Sequence, residues 1–278
     1  MTDPRRHPAN GRVAALRLRG EVEAQGFTEG VPARVVVPVA DLLRAPGGPR
    51  DRQFLLGEEV TVYEERDGWS FVEASRDGYT GYLPAAELSG VQAPTHRVTA
   101  RATHLYRMAD FKTRELAALS HGAMLTVTGQ EGRFAVTPLG YVPSMHLSPL
   151  EEVADDPVRV AGLFLGTPYL WGGNTSYGID CSGLVQMACL ACGIDCPGDS
   201  DMQEAELGHA LPEDAPLERG DLLFWETHVA WVVDRDTLLH ANAFSMAVSY
   251  EPLEAAVHRI EAQGDGPVTS RRRLGDPR

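Results

Sequence analysis

The chain has no apolar run long enough to cross a bilayer as a helix, which takes about 20 residues. Its first eight residues carry two arginines but no apolar stretch of about 7–15 residues behind them, so they do not read as a secretory signal. Positive charge is in deficit: 25 Lys and Arg stand against 39 Asp and Glu, a formal net charge of −14. That balance argues against nucleic acid or an anionic membrane as partner, and any anionic substrate must be met by local groups. Cysteine is scarce as well. There are four, Cys181, Cys189, Cys192 and Cys196, all in one short stretch. No second C-x-x-C pair follows them, whereas a closed zinc site needs four ligands, so reduced thiols are expected, with no metal and no cofactor. A cytoplasmic location is expected.

What is present is ordinary globular material, 43% apolar and 23% charged, in a chain of 278 residues that suits two or three units. From Val31 to about Leu88, β-branched runs alternate with turn residues, and from Arg97 to Leu147 the pattern returns. Asp41-Leu42-Leu43-Arg44 answers His104-Leu105-Tyr106-Arg107, and the run from Gly57 to Val62 answers Gly122 to Val127. Gly68-Trp69 answers Gly132-Arg133, and Gly81-Tyr82 with Pro84 and Leu88 answers Gly140-Tyr141 with Pro143 and Leu147. Short strands with glycine turns describe small, partly open barrels. The pair resembles bacterial SH3 domains, whose usual role is to bind or position peptide and cell-wall ligands. Trp69, Phe71, Tyr82, Phe134 and Tyr141 then read as core or rim aromatics. Tyr79 has Pro138 at the corresponding place in the second copy, so the barrel does not require it. It is either a contact for something outside the barrel or a half-exposed turn tyrosine.

The first 30 residues are weakly periodic and read as an arm. An acidic segment bounded by Pro149 and Pro157 reads as a linker. Pro157 to Gly166 reads as one helix, proline in its first turn and glycine at its end. A Gly-rich, aromatic approach from Gly166 to Gly173, including Trp171, leads to Asp180-Cys181-Ser182-Gly183, which opens an apolar helical run from Leu184 to Leu190. A cysteine at a helix N-terminus meets unpaired N–H groups and the positive end of the dipole, which favour the thiolate. The alternative is a small buried hydrophobe.

A nucleophilic cysteine needs a base, and the base needs an orienting group. His228 and His240 stand in β-type runs on either side of a turn at Asp234-Arg235-Asp236, a hairpin that brings them close enough for a bond between the two rings. The alternative is a pair of structural strand histidines. Five blocks occur in order: Tyr169-Leu170-Trp171-Gly172-Gly173, Asp180 to Val185, Gly220 to Phe224, His228-Val229-Ala230, and His240-Ala241. Together they resemble the NlpC/P60 cysteine peptidases, a papain-like fold.

The resemblance implies two small SH3-like β-barrels followed by an α+β papain-like catalytic domain. The boundaries are an arm at 1–30, SH3 domains at 31–90 and 95–149, and a peptidase domain at 155–278. It implies Cys181 as nucleophile, His228 as base and then acid, His240 as its orienter, and an oxyanion met by N–H groups at the helix start. The family cleaves stem peptides of bacterial peptidoglycan, commonly between γ-D-glutamate and a diamino acid. Members with this domain order resemble recycling enzymes that act on free muropeptides with an unblocked L-alanine N-terminus. In that subgroup Asp180 binds the substrate amine, Ser182 and Trp171 line the pocket, and Tyr79 closes it. Asp180 as a helix cap is compatible with this. Members of the subgroup often show a second acidic residue from the first SH3 domain, for which Asp41 and Glu58 are the possibilities, and Asp199, Asp201 and Gln203 fall in a loop that often contacts substrate in relatives, a pattern that loop composition alone also produces. Two other readings are a binding protein with an inactive catalytic domain, and a papain-like amidase or acyltransferase.

Overall fold

Short β-rich runs, dense in turn residues, make up the first half of the chain, and apolar helical runs appear only in the second. The structure, a computed structural model, describes residues 3–90 and 93–275; the extreme ends of the expected arm and peptidase domain lie outside the described residues. The chain divides into two compact units, Met1–Leu150 and Glu151–Arg278. Among the described residues no helix is long and apolar enough to cross a membrane.

Both repeats lie in the first unit, and neither closes into a barrel. In the first repeat a seven-stranded sheet runs from Arg50–Leu55 at one edge to Leu88–Ser89 at the other, and those edges do not pair with each other. In the second repeat the ladder is split into a five-stranded and a three-stranded sheet. The difference lies in one strand. Glu59–Arg66 runs unbroken through a bulge between Val62 and Glu64, so one strand serves both halves of its sheet. Its counterpart stops at Met124–Leu125 and resumes at Gly129–Glu131; between them the Val127 N–H goes to the Thr95 hydroxyl at 3.0 Å instead of to a neighbouring strand. The expected pair of SH3-like barrels is therefore corrected to open sheets.

The repeats do correspond strand by strand, with one slip in the expected alignment. Leu43 pairs with Tyr82 in the first copy, and Tyr106 with Tyr141 in the second. Trp69 faces Pro84, but it is Phe134, not Arg133, that faces Pro143. The turns explain the slip. Asp67 and Gly68 both have positive φ, whereas in the second copy the glycine of positive φ, Gly132, comes first in the two-residue turn. Tyr79 has no counterpart, because Thr137 and Gly140 pair across the two-residue connection Pro138-Leu139. Phe71 and Phe134 are buried, and each packs on a neighbouring tyrosine ring, Tyr82 at 5.2 Å and Tyr106 at 5.9 Å. The arm lays Ala15 and Leu18 against Tyr63 and Phe71 of the first repeat.

In the second unit Asp156 caps α1 (Pro157–Gly162) by accepting from the Val158 and Arg159 N–H groups; the helix ends four residues before Gly166. Helix α2 (Cys181–Ala191) packs on α1 and on two central strands of a six-stranded sheet, His228–Asp234 and Thr237–Asn242. Helix α3 is Ser200–Glu206. Helix α4 (Leu253–Ile260) follows directly on the strand Ala247–Pro252, and its Ala256 and Ile260 join Leu223, Trp225, Ala230, Val232 and Leu238 in one apolar cluster. Alternation along the paired strands puts His228, His240 and Glu251 on that same face of the sheet.

The two repeats touch where Met124 donates its N–H to the Leu56 carbonyl at 2.7 Å. Gly57 beside it has φ +86°, and a Cβ there would meet the Met124 carbonyl oxygen at 2.5 Å. Gly57→Ala is expected to cost about 1–3 kcal/mol through the left-handed backbone alone. A lowered urea midpoint measures it, and an unchanged midpoint would show that the repeats are not locked at this contact.

Candidate active site

The approach to the cysteine is a glycine-dependent fold of backbone on backbone. Asn174–Thr175 pairs with Gly178–Ile179, and the Thr175 hydroxyl accepts from the Tyr177 and Gly178 N–H groups. Asp180 is the N-cap of α2 and is buried. Its Oδ1 accepts from the Gly183 N–H at 2.6 Å and the Ser182 hydroxyl at 3.2 Å, and its Oδ2 from the Gly172 N–H at 2.8 Å. One carboxylate thus ties the glycine-rich approach to the first turn of the helix that Cys181 opens. No side chain fits at Gly183, since a Cβ would run into the Gly173 carbonyl oxygen and Asp180 itself. All four cysteines are buried thiols. Burial pushes the Cys192 thiol up to about 11, so it is inert near neutral pH.

Behind α2 lies a buried amide network. Gln186 accepts from the Asn174 side chain at 3.0 Å and donates to the Cys196 carbonyl at 3.0 Å. Gln203 donates to the Ser182 and Pro197 carbonyls, both at 2.9 Å. The expected substrate loop is therefore corrected at this point: Asp201 and Gln203 belong to α3, and the Gln203 amide is buried, bracing the residue after Cys181.

The histidine hairpin forms. Trp231 pairs with Leu239 and Val232 with Leu238, which leaves His228 and His240 diagonal on one face, with His228 Nε2 2.8 Å from His240 Nδ1. His240 is fully buried and His228 partly so. Two residues that sequence reading missed complete the row. His240 Nε2 lies 3.1 Å from Glu251 Oε2, and Arg259 grips the same carboxylate through Nε at 2.8 Å and Nη2 at 2.7 Å. The signal was available in part: Glu251 alternates onto the inward face of its strand, opposite Leu238. Its arginine comes from two helical turns further on, which no strand pattern announces.

Burial holds both imidazoles neutral. It pushes His240 down to about 4 against the pull of Glu251, and it holds His228 well below the ordinary histidine range, helped by His240 and Arg259. Arg259, chiefly through its hydrogen bonds, keeps the Glu251 carboxyl below the usual carboxylate value.

Residues 166–261 match the NlpC/P60 family and residues 42–88 the bacterial dipeptidyl-peptidase SH3 domain. The C-terminal unit is an NlpC/P60 domain. Its chain is similar to a gamma-D-glutamyl-L-lysine dipeptidyl-peptidase of Bacillus subtilis (strain 168), 28% identical over 75% of this chain and 78% of that one. It is also similar to a dipeptidyl-peptidase 6 of Lysinibacillus sphaericus, 28% identical over 73% and 83%. Among solved structures, an NlpC/P60 family protein from Bacillus cereus shares the fold at a TM-score of 0.73 and 22% identity, over 88% of this chain and 99% of that one. The N-terminal region is SH3b-like.

Within the NlpC/P60 domain the structure joins His228 to His240 and Asp180 to Ser182, and sets Cys181 on the helix that packs against both histidine strands. Trp171 is exposed on the glycine-rich approach. Tyr79 belongs to the N-terminal unit and is buried, not half-exposed, with the Arg52 guanidinium 6.0 Å from its ring centre. Of the two acidic candidates, Glu58 is buried and gripped by both carboxylate oxygens in the hand of Arg76. Asp41 accepts from Gln53 at 3.0 Å.

The depressed histidines make a prediction about stability. Below about pH 6.5 the unfolded chain takes up protons on these histidines, while folded His240 takes none until about 4. The unfolded state thus binds more protons in that window, and stability must fall as the pH drops through it. Tm is expected to decline between pH 6.5 and 4.5, with part of the decline lost in His240→Asn. Parallel pH dependences for the two proteins would contradict a neutral, buried His240.

Proposed function

We propose that this protein is a cysteine endopeptidase that hydrolyses the γ-D-glutamyl–diamino-acid bond of peptidoglycan stem peptides carrying a free N-terminal L-alanine. The observation that carries the reading is the 2.8 Å bond between His228 and His240 beside a helix that a cysteine opens, within a unit of the NlpC/P60 family. The names of relatives that span three quarters of the chain supply the substrate class.

In this reading the Cys181 thiol gives its proton to His228 and the thiolate attacks the glutamyl carbonyl carbon. The tetrahedral oxyanion is met at the start of α2. The resemblance places the N–H of Cys181 and its neighbours there; those of Gly183 and Leu184 are committed to Asp180, through Oδ1 and the carbonyl oxygen. Collapse expels the diamino-acid amine, which takes the proton back from His228. Water, deprotonated by His228, then releases the acyl group from the cysteine. Burial of Asp180 suits recognition of a substrate ammonium, since a buried carboxylate favours a cation and disfavours a blocked amine. Ser182 and Trp171 are the other residues assigned to that pocket, and the cytoplasm to the protein's location.

Incubation with L-Ala-γ-D-Glu-meso-diaminopimelate is expected to release L-Ala-D-Glu, and Cys181→Ala to abolish it. Undiminished product from Cys181→Ala would sink the mechanism. N-acetylation of the peptide is expected to reduce kcat/KM by at least about a hundredfold, the scale set by leaving a buried charge unpaired; turnover of the acetylated peptide at the normal rate would overturn the amine pocket.

A further inference from the structure

The NlpC/P60 site uses a cysteine and two histidines, but the row of polar groups on the sheet does not stop there. Beyond His240 it runs through Glu251 to Arg259, on two further elements. We propose that the Glu251–Arg259 pair is a positioning device that fixes the proton of His240 on Nε2, so that His228 presents Nδ1 as its only basic nitrogen to the Cys181 thiol. The inference rests on the cysteine-hydrolase reading.

The argument is one of donors and acceptors. An ionised carboxylate only accepts. Both oxygens of Glu251 accept from Arg259, and Oε2 also faces His240 Nε2 at 3.1 Å. A bare Nε2 there would set lone pair against lone pair inside a buried site, so Nε2 carries the hydrogen. His240 is neutral near pH 7 and has one ring proton, so its Nδ1 is bare and must accept. The only group the row offers to it is His228 Nε2 at 2.8 Å, which therefore carries its own hydrogen. Neutral His228 is then basic at Nδ1 alone. When Nδ1 takes the thiol proton, the imidazolium keeps its Nε2–H on His240, and Glu251 faces the charge at one remove. A tautomer fixed from behind is what a catalytic base needs, since the wrong one has no lone pair to offer the nucleophile.

Arg259 has the second half of the task. Glu251 sits beside a fully buried ring, where a carboxyl left to itself would tend to protonate, and a protonated oxygen could donate to His240 and reverse the row. The guanidinium prevents that with two parallel bonds, the geometry for which arginine is suited. It is itself held by the Gln263 side chain, 2.7 Å from Nη1, and lies 4.6 Å from the centre of the Phe244 ring. The other charged group acting on it is Asp265, after α4, which also favours the cation. Ser249 stands opposite His240 and bonds to the Asn242 amide, and the Trp225 ring lies 5.6 Å from that of His228; neither supplies a charge.

The test uses the full chain with 15N-labelled histidine. NMR of the wild type is expected to show His240 protonated at Nε2 and bare at Nδ1 near pH 7; protonation at Nδ1 instead would overturn the proposal without any variant. In Glu251→Gln the amide nitrogen must face either Arg259 or His240, so the His240 tautomers are expected to mix. Alkylation of Cys181 by iodoacetamide at pH 7 should slow at least about tenfold, with its acid limb moved to higher pH and kcat lowered at unchanged KM. Arg259→Met is expected to behave in the same way and Arg259→Lys to recover much of the rate. Folded variants with the wild-type alkylation profile and kcat would overturn the assignment. The spectra and the alkylation need no peptide, so failure of the wild type to cleave any stem peptide would count against the peptidase reading alone.

Discussion

The C-terminal unit depends on one carboxylate. Asp180 accepts from Gly172 before it and from Ser182 and Gly183 after it, so the chain's approach and departure at Cys181 are fixed by the same group. Capping alone accounts for about 0.5–2 kcal/mol in comparable helices. The larger consequence is geometric. Two glycines, Gly173 and Gly183, must lack side chains for backbone to meet backbone around the cap, and a Cβ on Gly178 would run into the Leu170 side chain. The cysteine follows the cap directly and inherits its rigidity. Gln203 adds a brace from the other side, through the Ser182 carbonyl. A group that must be placed to within tenths of an ångström is thus held by the main chain on both sides, not by its own rotamer.

That dependence explains what was legible in the sequence. A polar cap followed by an apolar run is a local signal, and α2 begins at Cys181 as the pattern predicts. The histidine pairing also followed from local rules, because a hairpin turn and period-two alternation fix which residues share a face. Features that depend on distant partners were not legible. Gln203 reads as loop until a helix forms and buries it, and the burial of Tyr79, read either as an outside contact or as a half-exposed turn residue, is hidden because nothing nearby in sequence reveals Arg52 over its ring. Barrel closure was the largest error. It depends on whether two edge strands meet, and a single interruption between Leu125 and Gly129 divided one sheet into two. Even the slip between Arg133 and Phe134 is physical, since a glycine at either position of a two-residue turn satisfies the hairpin but shifts the alignment by one.

The arginines show the same preference for internal use. In a chain with a net charge of −14, positive charge could have been displayed to attract an acidic peptide. Instead Arg76 grips Glu58, Arg259 grips Glu251 and Arg273 grips Asp221, each with little or no exposure of the carboxylate. Such pairs are weak sources of stability, because desolvation offsets the attraction, but they define orientation closely.

In the proposed mechanism one proton transfer has two unlike supports. On the cysteine side the field comes from backbone amides at the start of α2, a fixed array with no titration of its own. On the histidine side it comes from a row of side chains in which each group's proton is determined by the next. The first support is insensitive to pH, and the second is only as constant as its last ionised member. Glu251 needs a permanent cation beside it for that reason, and arginine is the side chain whose charge no pH in the working range removes. The placement of Arg259 on α4 fits this: the helix that lays Ala256 and Ile260 on the sheet also returns a guanidinium to a strand residue eight positions earlier.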